Sequence, residues 1–288
     1  MIVFFQACLN GLLTGALYAL IGMGLALIFG VMRIVNFAHG AFLMVGMYVS
    51  YVLFEHFGID PYLGFIASGL FLFLFGQLIY RFLIRPVRDR SDFMQILMTT
   101  GIALILTDGA QLIFGADYHQ VNIPLVNRTL RFGPFAASAA SLLSFAIAAV
   151  LIAGLYLFVT RSLTGQALRA IAQNSEVAAL VGIDVTRIQG LSFCLGIALA
   201  GIAGGLLLPA LYLFPSVGDD YTLKAFVMVV LGGMGSIEGA ALGGLLLGVS
   251  ENLTSLYVGN QWALAVDFAV FLVVLSWKPS GILGRQRA

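Results

Sequence analysis

The sequence predicts an all-α fold, a polytopic bundle of about 8–9 transmembrane spans with one short or broken segment. Three observations carry this. The chain is 61% hydrophobic and only 9% charged over 288 residues, whereas a soluble domain carries about 25% charged residues. Most of its basic residues fall into four short patches between long apolar runs: Arg33; Arg81, Arg85, Arg88 and Arg90; Arg161, Arg169 and Arg187; Lys278, Arg285 and Arg287. The apolar runs are dense in glycine and alanine at four-residue spacing, as in Gly11/Gly15, Gly239/Gly243 and Gly244/Gly248, and small residues let helices approach closely in lipid. Spans of about 20 residues use up most of the chain, so residues 1–288 read as one transmembrane domain.

The first run, about Gln6 to Gly30, ends at Arg33. The second covers about Gly40 to Phe57 and stops at Gly58-Ile-Asp-Pro61. The third runs from Tyr62 to Ile84 into the basic loop, where Pro86 is expected to end the helix. The fourth is about Phe93 to Phe114. Gly115–Ala137 is the most polar stretch between spans and alternates like short extended pieces at a surface. The fifth span is about Ala139 to Val159, followed by the long polar loop 160–187, and the sixth is about Ile188 to Phe214. Pro215, Asp219 and Asp220 then mark a turn. A short apolar piece, Ala225–Leu231, is broken by Gly232-Gly233-Met234-Gly235-Ser236, before runs at Gly239–Leu256 and Trp262–Trp277.

Short loops rich in Lys and Arg stay on the cytoplasmic side. The four basic patches are therefore inside, and Arg128, Arg131 and Lys224 outside. This places the N-terminus out and the C-terminus in, with nine crossings if Ala225–Leu231 and the Gly-rich break together cross. Seven residues span only about 10 Å as helix, so this crossing is either completed by irregular backbone or is re-entrant. Irregular backbone at membrane depth needs protein or a watery cavity around it, which makes Gly232–Ser236 a pathway candidate. The N-terminal residues lack the basic region of a cleaved signal peptide. Cys8 and Cys194 have no metal or disulfide spacing, and the net charge of +1 lacks the concentrated basic face that nucleic acid requires.

Within 160–187, Thr164 is a possible helix cap, and a second short helix fits Ser175–Val181. Glu176 suits its first turn, Gly182 supplies its stop, and Ala178 and Ala179 are expected on its exposed face. Asn36-Phe-Ala-His39-Gly40 sits where the first inside turn meets the second span. Asn36 can cap a helix, and His39 can hydrogen-bond a neighbouring carbonyl. Asn36, His39 and Gly40 therefore join Gly232, Gly233, Met234, Gly235 and Ser236 as pathway or gate candidates. Asp108 and Asp267 lie within spans, where carboxylates are costly and face protein or water; Asp267 is expected just below the outer surface.

Glu176-x-Ala178-Ala179-x-x-Gly182 resembles the Glu-Ala-Ala-x-x-x-Gly signature in the cytoplasmic coupling loop of ABC importer permeases, with Val177 inserted between the Glu and the Ala pair. Gly165–Gly205, Gly11–Leu20, Gly24–Met32, Val35-Asn-Phe-Ala-His-Gly40 and Val230–Ala240 are similar to the permeases of the branched-chain (hydrophobic) amino acid ABC importers, closer to the Liv-type first permease than to its partner. The resemblance covers nearly the whole chain. It implies a bacterial inner-membrane importer with a second permease subunit, two ATP-binding subunits docked on the coupling loops, and a periplasmic substrate-binding protein. It also implies urea or short amides as alternative cargo. ATP and magnesium would sit on the partner subunits and no cofactor on this chain, in keeping with the absence of a Gly-x-x-x-x-Gly-Lys-Ser/Thr loop. The chain is thus expected to be no enzyme itself. A stand-alone channel or ion-coupled carrier would instead rely on Asp108 and Asp267, and would have no use for a docking surface at Glu176, Ala178, Ala179 and Gly182.

Overall fold

A computed structural model describes residues 1–284; Arg285 and Arg287 of the last basic patch lie outside the described residues. The elements are α1 (Ile2–Met32), α2 (His39–Phe57), α3 (Pro61–Ile79), a π-helical turn (Tyr80–Ile84), α4 (Arg85–Val87), α5 (Asp92–Phe114), a hairpin of β1 (Thr129–Phe132) and β2 (Phe135–Ser138), α6 (Ala139–Arg161), α7 (Leu163–Gln173), α8 (Ser175–Leu180), α9 (Val185–Leu207), α10 (Val217–Gly232), α11 (Ile237–Tyr257) and α12 (Ala263–Trp277). Seven of the helical stretches are long and apolar enough to cross a membrane, and α10 with α11 forms a further pair bent by 119°. The fold is therefore the predicted polytopic bundle of eight or nine passes. The antiparallel hairpin, with Thr129 opposite Ser138, occupies the polar stretch that alternates in sequence.

Helices α1 and α9 form the centre and are buried along most of their length, whereas α5, α6 and α12 leave most of their apolar surface uncovered. The glycine spacings explain the central contact. A Cβ at Gly11 would come within 2.6 Å of Val249 Cα, and one at Gly15 within 2.9 Å of Leu245 Cα. The α1 and α11 backbones therefore touch, and van der Waals contact replaces the hydrophobic force that lipid does not supply.

Pro86 does not end the third span. Proline lacks an N–H and its ring crowds the carbonyl four residues back. Here the helix widens instead: the Arg85 N–H donates to Tyr80 O, five residues back, and the helix continues to Val87.

Two segments double back inside the bundle. Nε2 of His39, the first residue of α2, is 3.0 Å from Ile21 O. Ile21 lies eleven residues before the end of α1, about 16 Å up the helix. Residues 33–38 cover that distance as non-helical chain, within the roughly 20 Å that six extended residues span. Helix α10 also starts inside: its Gly218 lies against Gly40 at the start of α2. The chain reaches it through residues 211–216, which descend from the bridge pairing Leu213 with His119.

This corrects the segmentation expected around residue 220. Ala225–Leu231 is the second half of a 16-residue helix. Asp219 and Asp220 sit in its first turn rather than in an external turn, where the helix dipole favours carboxylates. Pro215, Val217, Gly218 and Tyr221 are buried. Gly232 meets Gly239 and Met228 meets Gly243, so α10 and α11 pack back to back across the turn that joins them.

Candidate translocation and coupling elements

At the end of the bundle that carries Arg33, residues 160–187 fold into α7 and α8. Ser162, not Thr164, caps α7 by accepting from Gly165 N at 2.9 Å; two residues earlier, its hydroxyl meets the free N–H groups of the first turn. Asn174 caps α8 by accepting from Glu176 N and Val177 N. Gly182 stops α8 at φ 87°, a conformation glycine adopts without steric cost. The exposed face differs from expectation. Ala179 is exposed, but Ala178 is turned inward at 3% exposure, and Val177, Leu180 and Val181 stand outside with Glu176. A six-residue helix with three exposed aliphatic side chains leaves a patch open to a partner.

Near the base of α9, the Arg88 guanidinium holds Asp89 at 3.0 Å and lowers its carboxyl pKa. Arg88 also donates to Gln189 Oε1 at 2.7 Å, which ties the α3–α5 connection to the base of α9.

Asn36, His39 and Gly40 come together in the interior. A carbonyl only accepts, so the bond to Ile21 O puts the proton on His39 Nε2 and leaves the buried Nδ1 without a partner. Asn36 is fully buried. Its Oδ1 accepts from Ala38 N at 3.1 Å, and its Nδ2 is unpaired. Asn36 therefore shapes the entry to α2 without capping it. The first turn of α2 is met by another helix: Gly40 N donates to Thr222 Oγ1 at 3.0 Å, and that hydroxyl donates to Gly218 O at 3.1 Å. Gly40 and Gly218 allow this crossing because a Cβ on either would collide with the other's backbone.

Gly232–Ser236 is not brought to this depth. It forms the turn between α10 and α11, next to Gly30 at the Arg33 end of α1. Gly233 and Gly235 have φ of 107° and 85°, and Ser236 caps α11 through Gly239 N. Ile282 N and Leu283 N donate to Leu231 O and Gly232 O, so the segment after α12 covers the turn. At Gly232 the two helices approach closely, since a Cβ there would meet the Gly239 backbone. Met234, Gly235 and Ser236 line a cleft of about 880 Å³ with Arg33, Arg169 and Glu238.

Asp108 and Asp267 part company. Asp108 is exposed on α5, on the same uncovered side as Leu104 and Leu112, and bonds no neighbouring helix among the described residues. Asp267 is fully buried as the fifth residue of α12, and its Oδ1 lies 3.1 Å from Ser250 Oγ. Next to Ser250 stands Glu251, whose Oε1 is 2.7 Å from Lys224 Nζ. Lys224 also donates to Tyr18 OH at 3.1 Å and lies over the Tyr18 and Tyr221 rings. Lys224 is therefore inside the bundle, not in an external loop. The positive-inside rule misplaced it because that rule describes loops. A lone cation in Leu223–Leu231 and a lone carboxylate in Leu245–Leu253 were the signal that they pair.

A family model described as "Branched-chain amino acid transport system / permease component" matches residues 7–275. The chain is 35% identical to the high-affinity branched-chain amino acid transport system permease protein LivH of Salmonella typhimurium, covering 98% of this chain and 96% of that one. It is 25% identical to the corresponding LivM of Escherichia coli, over 94% of this chain and 68% of LivM. Among solved structures, PsaBC from Streptococcus pneumoniae matches with a TM-score of 0.51 at 10% identity, over 93% of this chain and 90% of that chain, a likeness of fold alone.

Proposed function

This chain belongs to the branched-chain amino acid transport system permease family, and from that premise we propose that it carries leucine, isoleucine, valine and similar hydrophobic amino acids into the bacterial cytoplasm as the permease subunit of an ABC importer. It works beside a second permease, with ATP and magnesium bound on two separate ATPase subunits and a binding protein delivering cargo. The N-terminus and the β1–β2 hairpin face outward, the C-terminus inward.

The observation that carries the coupling role is α8. It stands at the Arg33 end of the bundle with Val177, Ala179, Leu180 and Val181 uncovered, as a helix seated in an ATPase groove requires. Asn174 and Gly182 fix its two ends, and Glu176 stands exposed in its first turn. Closure of the ATPase dimer moves α7 and α8, and α7 rests against α6, α9 and α1. The load reaches the central helices by that route. The interior crossing of α2 and α10, with Asn36, His39 and Gly40, is the gate. Gly232–Ser236 is the pivot at the inner mouth, beside the cleft that holds Arg33 and Arg169. Asp108, a carboxylate on an uncovered span, faces the second permease or the pathway, because lipid would not accept it. The binding protein docks on Gly115–Ala137.

The test is purification in gentle detergent, followed by reconstitution. Co-purification of ATPase subunits and a second permease, with leucine uptake driven by ATP and by the loaded binding protein, is the expected result. Uptake by this chain alone, driven by an ion gradient without ATP, would overturn it.

A further inference from the structure

A second cleft, of about 1100 Å³, opens between the end of α3, the first turn of α7 and the first turn of α9. Three arginines line it: Arg81, Arg85 and Arg187. All three are exposed, and among the described residues none meets a carboxylate, since the ion pairs are Arg88–Asp89 and Lys224–Glu251. The one acid in the cleft, Asp184, caps α9 through Arg187 N. Three cations therefore face one carboxylate at the membrane end where the basic patches lie. Leu163, Ile188 and Leu191 add apolar surface to its wall.

What reaches the arginines from the membrane side is also visible. Leu63, Ile66, Leu70, Leu74, Leu78 and Phe82 form one exposed stripe along α3, at the three- and four-residue spacing of a single helix face. The stripe ends at Arg81 and Arg85, which stay on the helix because the π-helical turn carries it past Pro86. π-turns inside helices occur frequently at functional sites.

We infer that this cleft binds an anionic phospholipid of the inner leaflet, its phosphate held by Arg81, Arg85 and Arg187 and its acyl chains laid along the exposed face of α3. The charge excess selects an anion, and the continuous apolar stripe selects an amphiphile over a free anion or an acidic protein surface. Basic pockets between helices on the cytoplasmic side are suited to lipid headgroups. The site is separate from the exposed face of α8 and does not depend on which solute is carried.

The experiment is native mass spectrometry of the purified complex released from nanodiscs of phosphatidylglycerol and phosphatidylcholine in equal amounts. The wild type is expected to retain phosphatidylglycerol preferentially. R81Q/R85Q/R187Q should weaken that retention on the order of 100-fold, from the contribution of each basic group near an anionic surface, and R81K/R85K/R187K should keep most of it. Inorganic phosphate or glycerol phosphate at millimolar concentration should not displace the lipid; displacement would reassign the site to a free anion. Equal retention of both lipids by the wild type would overturn the inference. So would a Gln variant that keeps its phosphatidylglycerol but loses the ATPase subunits, which would make the cleft a protein docking site. Should the Gln variant not assemble, the wild-type selectivity and the Lys variant decide.

Discussion

Lys224 on α10 donates to Glu251 on α11 across 2.7 Å, in a buried polar cluster that also holds Tyr18, Ser250 and Asp267. Both side chains are mostly buried, at 12% and 17% exposure. The pair joins the two helices that meet in the 119° bend, and Tyr18 brings α1 into the same contact. Removing one partner strands the other charge, which costs about 3–5 kcal/mol for a buried pair. Lys224→Met should therefore lower the thermal stability of the detergent-solubilised complex sharply, whereas Lys224→Met with Glu251→Leu should recover most of the loss. A single variant as stable as the wild type would mean that water screens the pair.

Gly11, Gly15 and Gly248 set the distance between α1 and α11. Gly248→Leu should abolish the monodisperse peak in fluorescence-detected size exclusion, because its side chain would occupy the space of the Gly11 and Gly15 backbones. Gly154→Leu, where a Cβ meets nothing within 4 Å, should be tolerated and serves as the control.

On α8, Leu180 is exposed and Ala178 is buried. Leu180→Asp should release the ATPase subunits during affinity purification and leave the permease folded. Ala178→Asp should instead damage the permease itself, seen as a lower melting temperature, because it places a carboxylate where α8 rests on the chain. If Leu180→Asp keeps the full complement of ATPase, α8 does not dock it.

His39 donates from Nε2 to Ile21 O. Gln can place its amide nitrogen near the same position and should preserve transport better than Ala. Unchanged ATP-driven uptake by His39→Ala would remove His39 from the gate.

Thr222 accepts from Gly40 N and donates to Gly218 O. Thr222→Val keeps the shape and leaves a buried N–H without a partner, which costs roughly 1–3 kcal/mol; Thr222→Ser should be close to neutral. A thermal-shift series on the three proteins checks the order.

Much of this fold is legible in the sequence, because lipid leaves few choices. The long apolar runs, the glycine spacings and the basic patches define α1, α3, α5, α6, α9 and α11, and the Ser175–Gly182 pattern gives α8 to within a residue. Several of the failures share a cause. Where backbone dives into the bundle, hydropathy no longer marks an interface. Residues 33–38 read as an ordinary turn, Leu211–Phe214 as the end of the sixth span, and Pro215 with Asp219 and Asp220 as an outer turn, although they lead to or form the start of α2 and α10. Pro86 read as a stop because no local pattern announces a π-turn. Lys224 read as a loop residue because its partner is 27 positions away on another helix. The inward face of Ala178 depends on what α8 rests against, which a six-residue helix does not encode.

The Gly40–Thr222 bond spans 182 positions of chain, and α1 finds its main neighbour only in α11, after residue 237. The molecule therefore cannot be finished from its N-terminus as it leaves the ribosome. Its first two spans must wait in the membrane, with the first turn of α2 lacking its Thr222 acceptor, until nearly the whole polypeptide has been inserted. A series of stalled nascent chains should show this as a late, abrupt gain of protease resistance once α11 is released, and not as a gradual rise with each added span. A chain interrupted before residue 222 is then a target for membrane quality control rather than a partly working permease.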